Sequence, residues 1–466
     1  MTTSQDDPVF LNGSLMRHVT VMSFTGSIGL MAMFAVDFID MIFISMLGNE
    51  ALAAAVGYAS TVLFFTNSIN IGLSIAAGSL VSRSLGAKAP VEAREYATSV
   101  AVFGVITGLI VPSIALPLLP QILGLLGAQG ATAELATTYL WIIMPTMSFM
   151  SVATVSMAIL RAHGDARRSM SATLFGAIAN AILDPILIFG LDLGLEGAAI
   201  ASVIARLLML FLAVVPVVRR YDGFAKPAPA TISRDFRAVS AIAGPAVMTN
   251  VATPVGAAIV MREMSKYGTE AIAGMAIVGR LTPIAFSVIF ALSGVIGPIV
   301  GQNFGAGRMD RVREAFRAGA IFTALYVILA AIILLLVRQP VADLFNAEGL
   351  TRSIIYLFCG PLALTYFFNG VTFVANASFN NLGKPGYSAW INWGKNTLGT
   401  LPFVLVGSFW FGAEGVLIGQ AAGGIIFAVI AVIMAVRLMN SDEISTKPTP
   451  FQSQRRLHLL INRGRW

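Results

Sequence analysis

The chain alternates between long apolar segments and short polar connections over most of its length. Twelve of these segments contain about 20–28 residues, enough for a helix to cross the roughly 30 Å hydrocarbon core of a bilayer. The pattern therefore predicts an all-α polytopic membrane protein with twelve transmembrane helices. The predicted spans are residues 19–46, 55–82, 95–118, 135–160, 169–190, 196–218, 239–262, 275–301, 316–337, 353–379, 386–408 and 414–437.

Composition supports a membrane protein. The chain is 57% hydrophobic and 11% charged, whereas soluble proteins carry about 25% charged residues. Its net charge of +7 does not call for a nucleic-acid partner, because cytoplasmic membrane loops collect Lys and Arg. Cys359 is the single cysteine, which excludes an intrachain disulfide and a CxxC metal site. The first apolar run is long enough to span the membrane, so we expect no cleavable signal peptide.

The distribution of Lys and Arg predicts the orientation. If the N-terminal segment, residues 1–18, is cytoplasmic, 23 of the 30 basic residues fall on that side and four on the other. This asymmetry predicts an even number of crossings with both termini in the cytoplasm. The basic tail, residues 438–466, would then either lie on the inner leaflet as a short helix or be disordered.

The sequence also repeats itself. Short segments of the first half recur in the second half with an offset of 218 to 220 residues, among them SLGA at 84–87 and NFGA at 303–306. Six crossings return a chain to its starting side, so the duplication predicts two pseudo-symmetric six-helix lobes, a common design of transporters. The lobes would comprise residues 19–218 and 239–437, joined by a basic cytoplasmic linker at 219–238.

Three acidic residues lie well inside predicted spans: Asp37, Asp40 and Asp184. A carboxylate at that depth costs about 2.5–3.5 kcal/mol on insertion scales, and such residues generally serve function. The repeat provides a control, because Asp37 and Asp40 correspond to Ala257 and Val260 in the second half. The second lobe thus folds without these acids, which indicates that they were added to the first lobe for function.

The acids can form one oxygen-rich group. Asp37 and Asp40 lie three apart on a helix, and Asn180 lies four before Asp184, so each pair shares a helical face. Together they could hold Na⁺ or bind protons. A structural polar cluster, or a carboxylate paired with Arg206, remains the alternative. Of the other cations inside spans, Arg280 could snorkel to the membrane surface, and Lys395 could face a cleft between the lobes.

At this point the chain resembles the multidrug and toxic compound extrusion (MATE) family, close to its DinF-like prokaryotic branch. The resemblance extends from about residue 15 to 439. The segments that carry it are VDFIDMIF at 36–43, SRSLGA at 82–87, ILRAHGD at 159–165, ANAILDP at 179–185 and GQNFGA at 301–306.

The resemblance implies a MATE-type fold and a set of site residues. Asp40 matches the first-helix aspartate of the family's cation site, and Asn180 and Asp184 match its fifth-helix partners. Ser202 stands where the family often has a threonine, and Tyr139 matches an aromatic position near the pocket. Asp37 departs from the pattern, since a neutral residue is usual there. Lys395 and Arg280 complete the set of pocket candidates.

The implied function is H⁺- or Na⁺-coupled antiport that exports amphipathic, cationic drugs or metabolites by alternating access. We expect no cofactor besides the coupling ion, a small-molecule substrate, no nucleic acid and a monomer in the bacterial inner membrane. The sequence contains no G-x-x-x-x-G-K-[ST] run for direct ATP use. The alternatives are a flippase for a lipid-linked precursor, which would need a more cationic cleft, and an intramembrane enzyme, which would need more acids.

Overall fold

The computed structural model describes residues 8–47 and 50–441, and every regular element in these ranges is a helix. The first half contains α1 Leu15–Met46, α2 Glu50–Gly86, α3 Pro90–Ala115, α4 Leu119–Leu125, α5 Gly130–Ile143, α6 Met147–Ala162, α7 Ala166–Pro185 and α8 Gly194–Tyr221. The second half contains α9 Pro229–Met264, α10 Thr269–Ala285, α11 Ser287–Gly305, α12 Met309–Leu344, α13 Gly349–Leu357, α14 Ala363–Asn381, α15 Gly386–Asn396 and α16 Leu401–Met439.

These helices provide the predicted crossings. In the described part of the chain, eleven helical stretches are long and apolar enough to cross a membrane. The last of them, Gly386–Met439, has 54 residues and reverses direction at Gly412, whose φ of +61° lies outside the helical region. It therefore contains two crossings, and the prediction of an all-α protein with twelve spans is confirmed.

Helix boundaries repeat with the spacing found in the sequence. Helix α2 ends at Gly86 and α11 ends at Gly305, while α3 begins at Pro90 and α12 at Met309. The first half, α1–α8, is called the N-lobe here, and the second half, α9–α16, the C-lobe. The two six-crossing lobes are thus copies of one architecture, as the duplication predicts.

The connection between the lobes is shorter than the predicted linker at 219–238. Helix α8 continues to Tyr221 and α9 already begins at Pro229, so that only residues 222–228 lie outside helices. Asp222 adopts a left-handed conformation that ends α8, and Pro229 suits the first position of a helix because its missing N–H has no helical acceptor there. The predicted linker was too long because the end of α8 and the start of α9 have the polar composition of a loop.

Equivalent helices of the two lobes pack against the opposite lobe. Helix α1 of the N-lobe packs on α11 and α12 of the C-lobe, and α9 of the C-lobe packs on α2 and α3 of the N-lobe. Helix α2 also packs along α11. The two lobes therefore meet through equivalent helices around a pseudo-two-fold axis.

The lobes touch most closely where α2 and α11 end. We call this end of the molecule the basic face, because Arg83, Lys88 and Arg308 lie there. A Cβ atom on Gly86 would lie 2.0 Å from the backbone oxygen of Gln302, and one on Gly305 would lie 2.0 Å from that of Arg83. Such distances show direct contact of the two backbones at positions equivalent in the repeat.

The N-terminal segment strengthens this closure. Phe10 is 0% exposed, and its backbone N–H donates to Oε1 of Gln302 at 2.8 Å. Asn303 and Arg311 of the C-lobe donate to the Phe10 carbonyl. Gln302 in turn donates to the Ala162 carbonyl of the N-lobe at 2.8 Å. Hydrogen bonds thus join Phe10 to the C-lobe and the C-lobe to Ala162 of the N-lobe, which closes the basic face.

The turn between α6 and α7 is fixed at the same face by Asp165. Its carboxylate accepts hydrogen bonds from the Arg168 backbone N–H at 3.1 Å and from the Tyr221 hydroxyl at 2.9 Å, and pairs with the Arg168 guanidinium. Burial raises the pKa of Asp165, but these hydrogen bonds outweigh it and hold the pKa below its ordinary value. The turn is thereby tied to the end of α8.

Glycines allow the last two crossings to pack as a close hairpin. Around the reversal at Gly412, Gly407 faces Gly415, and a Cβ on Gly415 would lie 1.9 Å from the Gly407 carbonyl oxygen. Close backbone approach through small residues is a general way of packing membrane helices. The predicted basic tail follows this hairpin, and its residues from 442 onward lie outside the described part of the chain.

We predict that Gly415→Ala destabilises the protein by about 3 kcal/mol, because the new methyl group must displace backbone rather than a flexible side chain. The midpoint of thermal unfolding in detergent, followed by size-exclusion chromatography, should fall by several degrees. Gly244→Ala in α9 is the matched control, since nothing lies within 4 Å of its Cβ position and alanine favours a helix by about 1 kcal/mol. Equal stability of both variants would contradict this account of the hairpin.

Candidate functional site

A polar group lies within the N-lobe between α1 and α7, which pack along one another. Asp184 on α7 is 1% exposed, and its Oδ2 accepts a hydrogen bond from Asn180 at 2.8 Å. Asp40 on α1 places its carboxyl group within hydrogen-bonding reach of Asp184. The structure thus brings Asp40 together with Asn180 and Asp184, although Asn180 lies 140 positions after Asp40 in the sequence.

Contact between these two carboxyl groups requires a proton or a metal cation. Oδ1 of Asp40 and Oδ1 of Asp184 are both buried, and neither has a hydrogen-bond donor. Two carboxylates in contact repel each other by about 4 kcal/mol at an effective dielectric of 20, unless a proton or a metal cation lies between them. The donor set of two carboxylates and one amide suits either a shared proton or a small hard cation such as Na⁺.

Tyr139 on α5 and Ser202 on α8 border this acidic group. Their hydroxyl groups face each other, and Tyr139 is close enough to Asp40 and Asp184 to interact with their charges. Ser202 is therefore connected to the acidic group through Tyr139. The structure places all four of the residues that the resemblance implied for a cation site, Asp40, Asn180, Asp184 and Ser202, in one region with Tyr139.

Arg206 does not neutralise the acids. Its guanidinium donates to the Ile143 carbonyl at 3.3 Å and to the Thr146 hydroxyl at 2.9 Å. It forms no ion pair with any carboxylate in the described residues. The explanation of the buried acids as a salt bridge to Arg206 is therefore wrong. The Arg206 guanidinium instead donates hydrogen bonds to residues at the break between α5 and α6.

Asp37 and Arg280 lie at the periphery. Asp37 neighbours Asp40, but its side chain is exposed, in contrast to that of Asp184. Arg280 on α10 is also exposed and crosses to α1, where its guanidinium lies 5.3 Å from the ring centroid of Phe38 and 3.8 Å from Sδ of Met41. These contacts join the lobes on the side opposite the basic face.

No cluster of three His, Cys, Asp or Glu side chains suited to a metal ion occurs in residues 8–47 and 50–441. The predicted Na⁺ ligands Asp40, Asn180 and Asp184 are a smaller set, with two carboxylates and one amide. A metal centre of the kind used by enzymes has no candidate in this part of the chain.

A second feature is a cavity of about 900 Å³ between the lobes. Its walls come from α1, α2, α6 and α7 on one side and from α9, α10, α11, α14, α15 and α16 on the other. Aromatic and Met side chains form part of the apolar lining, including Met33, Phe64, Phe290 and Tyr366. The size suits a drug-sized ligand. None of the acids of the N-lobe group lines this cavity, so the two sites are separate.

The polar part of the cavity wall consists of cations and amides, without acids, in the described chain. Lys395 on α15 lines it and donates to Oδ1 of Asn369, and Arg161 on α6 is the second cation in its wall. No Asp or Glu of the described chain is among its lining residues. Nine amide side chains do line it: Asn67, Asn250, Asn369, Asn376, Asn380, Asn381, Asn392, Asn396 and Gln420. The prediction that Lys395 faces a cleft agrees with this placement.

Arg161 was missed as a pocket residue because it lies at the boundary between a predicted span and a basic loop. In the repeat, Arg161 corresponds to Asn380, and Ser74 corresponds to Ser293. All four line the cavity. Polar residues at equivalent positions of both repeats were thus the sequence signal that could have identified this wall.

Comparisons with known proteins agree with the fold. The family model MatE matches residues 27–186 and 245–405. A FAD transporter of Shewanella oneidensis is 27% identical over 453 residues, which cover 94% of this chain and 98% of that protein. The multidrug export protein MepA of Staphylococcus aureus is 24% identical and covers 88% of this chain and 90% of its own length. The solved Vibrio cholerae MATE transporter VcmN in the bent form superposes with a TM-score of 0.86 at 24% identity, over 93% of this chain and 99% of that one. The match to both halves of the chain, together with the duplicated twelve-span fold, shows that this protein belongs to the MATE family of multidrug efflux transporters.

Proposed function

We propose that this protein is a cation-coupled antiporter that exports amphipathic small molecules by alternating access between its two lobes. The proposal concerns a monomer in the bacterial inner membrane, with H⁺ or Na⁺ as the coupling ion and no other cofactor. The Shewanella oneidensis relative is named as a transporter and the Staphylococcus aureus relative as an export protein, and a chemical reaction plays no part in the proposed cycle.

The observation that carries the proposal is the contact between Asp40 and Asp184. Both have a buried oxygen without a donor, and they lie on two helices, α1 and α7, that pack along one another. Binding or release of a cation there must change the repulsion between these helices. Since α1 also packs on α11 and α12 of the C-lobe, such a change reaches the interface between the lobes.

An ion can drive this change only if it binds the two conformations with different affinities. We propose that the basic face is cytoplasmic, in agreement with the excess of Lys and Arg there. The closure by Gly86, Gly305 and Phe10 then represents an outward-facing state, in which cargo leaves and the coupling ion enters. Release of the ion toward the cytoplasm would accompany opening of the basic face.

The cargo binds in the cavity between the lobes. The names of the relatives indicate cargoes of different kinds, a flavin dinucleotide for one and drugs for another. The expected cationic cargo stays a prediction, and the two cations in an acid-free wall oppose it. A lipid flippase would place more cations in the cavity. Of the three cations inside predicted spans, only Lys395 lines it, and Arg161 is the second cation of its wall.

The test is transport in proteoliposomes that contain the purified full-length protein and a fluorescent amphipathic cargo. A pH gradient and a Na⁺ gradient are imposed separately. We expect one of the two to drive uphill cargo movement in exchange for the ion, with protein-free vesicles as the control. Cargo movement that only equilibrates under either gradient would refute the coupling.

A further inference from the structure

We propose that the cavity between the lobes recognises an anionic cargo, one that carries a phosphate or carboxylate on an aromatic body, through Lys395 and Arg161. The inference rests on the proposed function, since it specifies the substrate of the same cavity. The juxtaposition that supports it is a pair of cations in a wall that contains no acid in the described chain.

The first step of the argument is charge. Neither Lys395 nor Arg161 takes part in an ion pair within the described residues. Buried charges are normally paired, and a cation that meets only neutral groups retains its attraction for an anion. A cationic cargo would instead be repelled by both side chains, and no carboxylate of the wall would compensate.

The second step concerns the donors that remain. Arg161 donates to the hydroxyl groups of Ser169 at 3.0 Å and Ser74 at 3.4 Å, while its buried Nε has no acceptor. An arginine can donate five hydrogen bonds and matches phosphate and carboxylate geometry. Lys395 donates to Asn369, and an ammonium group has three donors. Each cation therefore has donors left for a ligand.

The third step is placement. Arg161 belongs to the N-lobe and approaches α11, since its Nε lies 3.6 Å from the Cβ position of Gly294. Lys395 belongs to the C-lobe and lies about 14 Å along α15 from the end of that helix at the basic face. The cations thus stand at two depths and on two lobes. Phe290 and Tyr366 line the same cavity and can pack on an aromatic body.

The amide side chains complete the site. Several asparagines donate to a carbonyl of the preceding helical turn, as Asn392 does to Ser388 and Asn396 does to Asn392. Oδ1 of Asn376, which also lines the cavity, has no hydrogen-bond donor and can accept one from a polar group of a ligand ring. The wall therefore offers positive charge for the anionic part and acceptors for the neutral part of one amphipathic molecule.

The experiment compares flavin mononucleotide with riboflavin, a fluorescent pair that differs only by a phosphate, and with the cationic dye ethidium. Binding to the purified full-length protein is measured by fluorescence titration. Because a hydrogen bond to a charged group commonly changes affinity about tenfold or more, we expect flavin mononucleotide to bind at least about tenfold more tightly than riboflavin. Tighter binding of ethidium than of flavin mononucleotide by the unmodified protein would overturn the inference.

Variants assign the effect to the two cations. We expect Lys395→Gln and Arg161→Gln each to lower affinity for flavin mononucleotide but not for riboflavin, whereas Lys395→Arg and Arg161→Lys should retain the preference. Arg280→Gln is the control, because Arg280 does not line the cavity. A phosphate preference that persists in the double variant Lys395→Gln/Arg161→Gln would contradict the assignment.

Farnesyl diphosphate serves as a competitor that separates two sources of the anion. If farnesyl diphosphate displaces bound flavin mononucleotide at a lower concentration than flavin mononucleotide itself needs for binding, the anionic cargo is a lipid-linked phosphate. If it does not, the cargo is a soluble compound. Both outcomes support recognition of an anion. Binding is measured without an ion gradient, so a failure of this inference is distinct from a failure of ion coupling.

Discussion

Asp40→Asn is expected to abolish ion-driven efflux in a protein that still folds. Asparagine has nearly the shape of aspartate, and its amide can donate to the buried Oδ1 of Asp184, which has no donor in the structure. The variant should therefore be at least as stable as the unmodified protein. The loss of charge removes the difference in ion affinity between the two conformations, and with it a coupling energy of about 1–3 kcal/mol, or 5- to 150-fold.

The measurement is uphill cargo transport in proteoliposomes under whichever gradient drives the unmodified protein, with the unfolding midpoint measured on the same preparation. Asp184→Asn should behave in the same way, because it removes the other half of the pair. Asp37→Asn is the matched control on the same helix: its side chain is exposed, and we expect it to retain most of the transport. Full transport by a stable Asp40→Asn protein would count decisively against coupling at this pair.

Replacement of Gly86 or Gly305 by valine is expected to open the basic face. The added atoms would overlap the backbone of the opposite lobe, since even a Cβ atom at either position lies 2.0 Å from a carbonyl oxygen. The overlap penalises only the conformation in which α2 and α11 touch. A cost of about 2 kcal/mol would shift the equilibrium between closed and open basic faces about 30-fold toward the open state.

The distance between spin labels at Lys88 and Asp310 measures this shift. Both positions are exposed at the basic face, one in each lobe, and Cys359→Ala provides a cysteine-free background because Cys359 is the only cysteine. We expect a longer distance to predominate in Gly86→Val. Gly78→Ala on the same helix is the control, since its Cβ would meet only Ala158 at 3.9 Å. An unchanged distance distribution in both valine variants would show that this contact does not control opening.

The two variants test different parts of one cycle. Asp40→Asn acts on the N-lobe, far from the contact between α2 and α11, whereas Gly86→Val acts on that contact and leaves the acids intact. If the cycle is coupled as proposed, the first variant loses sensitivity to the ion and the second changes the resting conformation while ion binding remains. Transport is expected to fall in both, but only Gly86→Val should alter the label distance without a gradient.

Much of the site could be predicted from sequence where single polar residues lie within apolar spans. Asp40 and Asp184 are polar residues in apolar spans, and an ion-binding role was inferred from the cost of burying them. Asn180 followed because one helical turn separates it from Asp184. The salt bridge to Arg206 was excluded only by the structure, because hydrogen bonds of Arg206 to Ile143 and Thr146 depend on the break between α5 and α6.

The sequence by itself determined the twelve apolar crossings, the duplication and the presence of acids well inside the apolar spans of one lobe only, because hydrophobic length, repeat spacing and burial cost are properties of individual segments. Only the tertiary structure decided which acids meet, that Asp37 remains outside the pair, and that Arg161 joins Lys395 in a cavity free of acids. These features depend on the rotation and depth of each helix against its neighbours. Packing between helices far apart in the chain sets that arrangement, and a bilayer imposes no pattern on the residues that face a cavity.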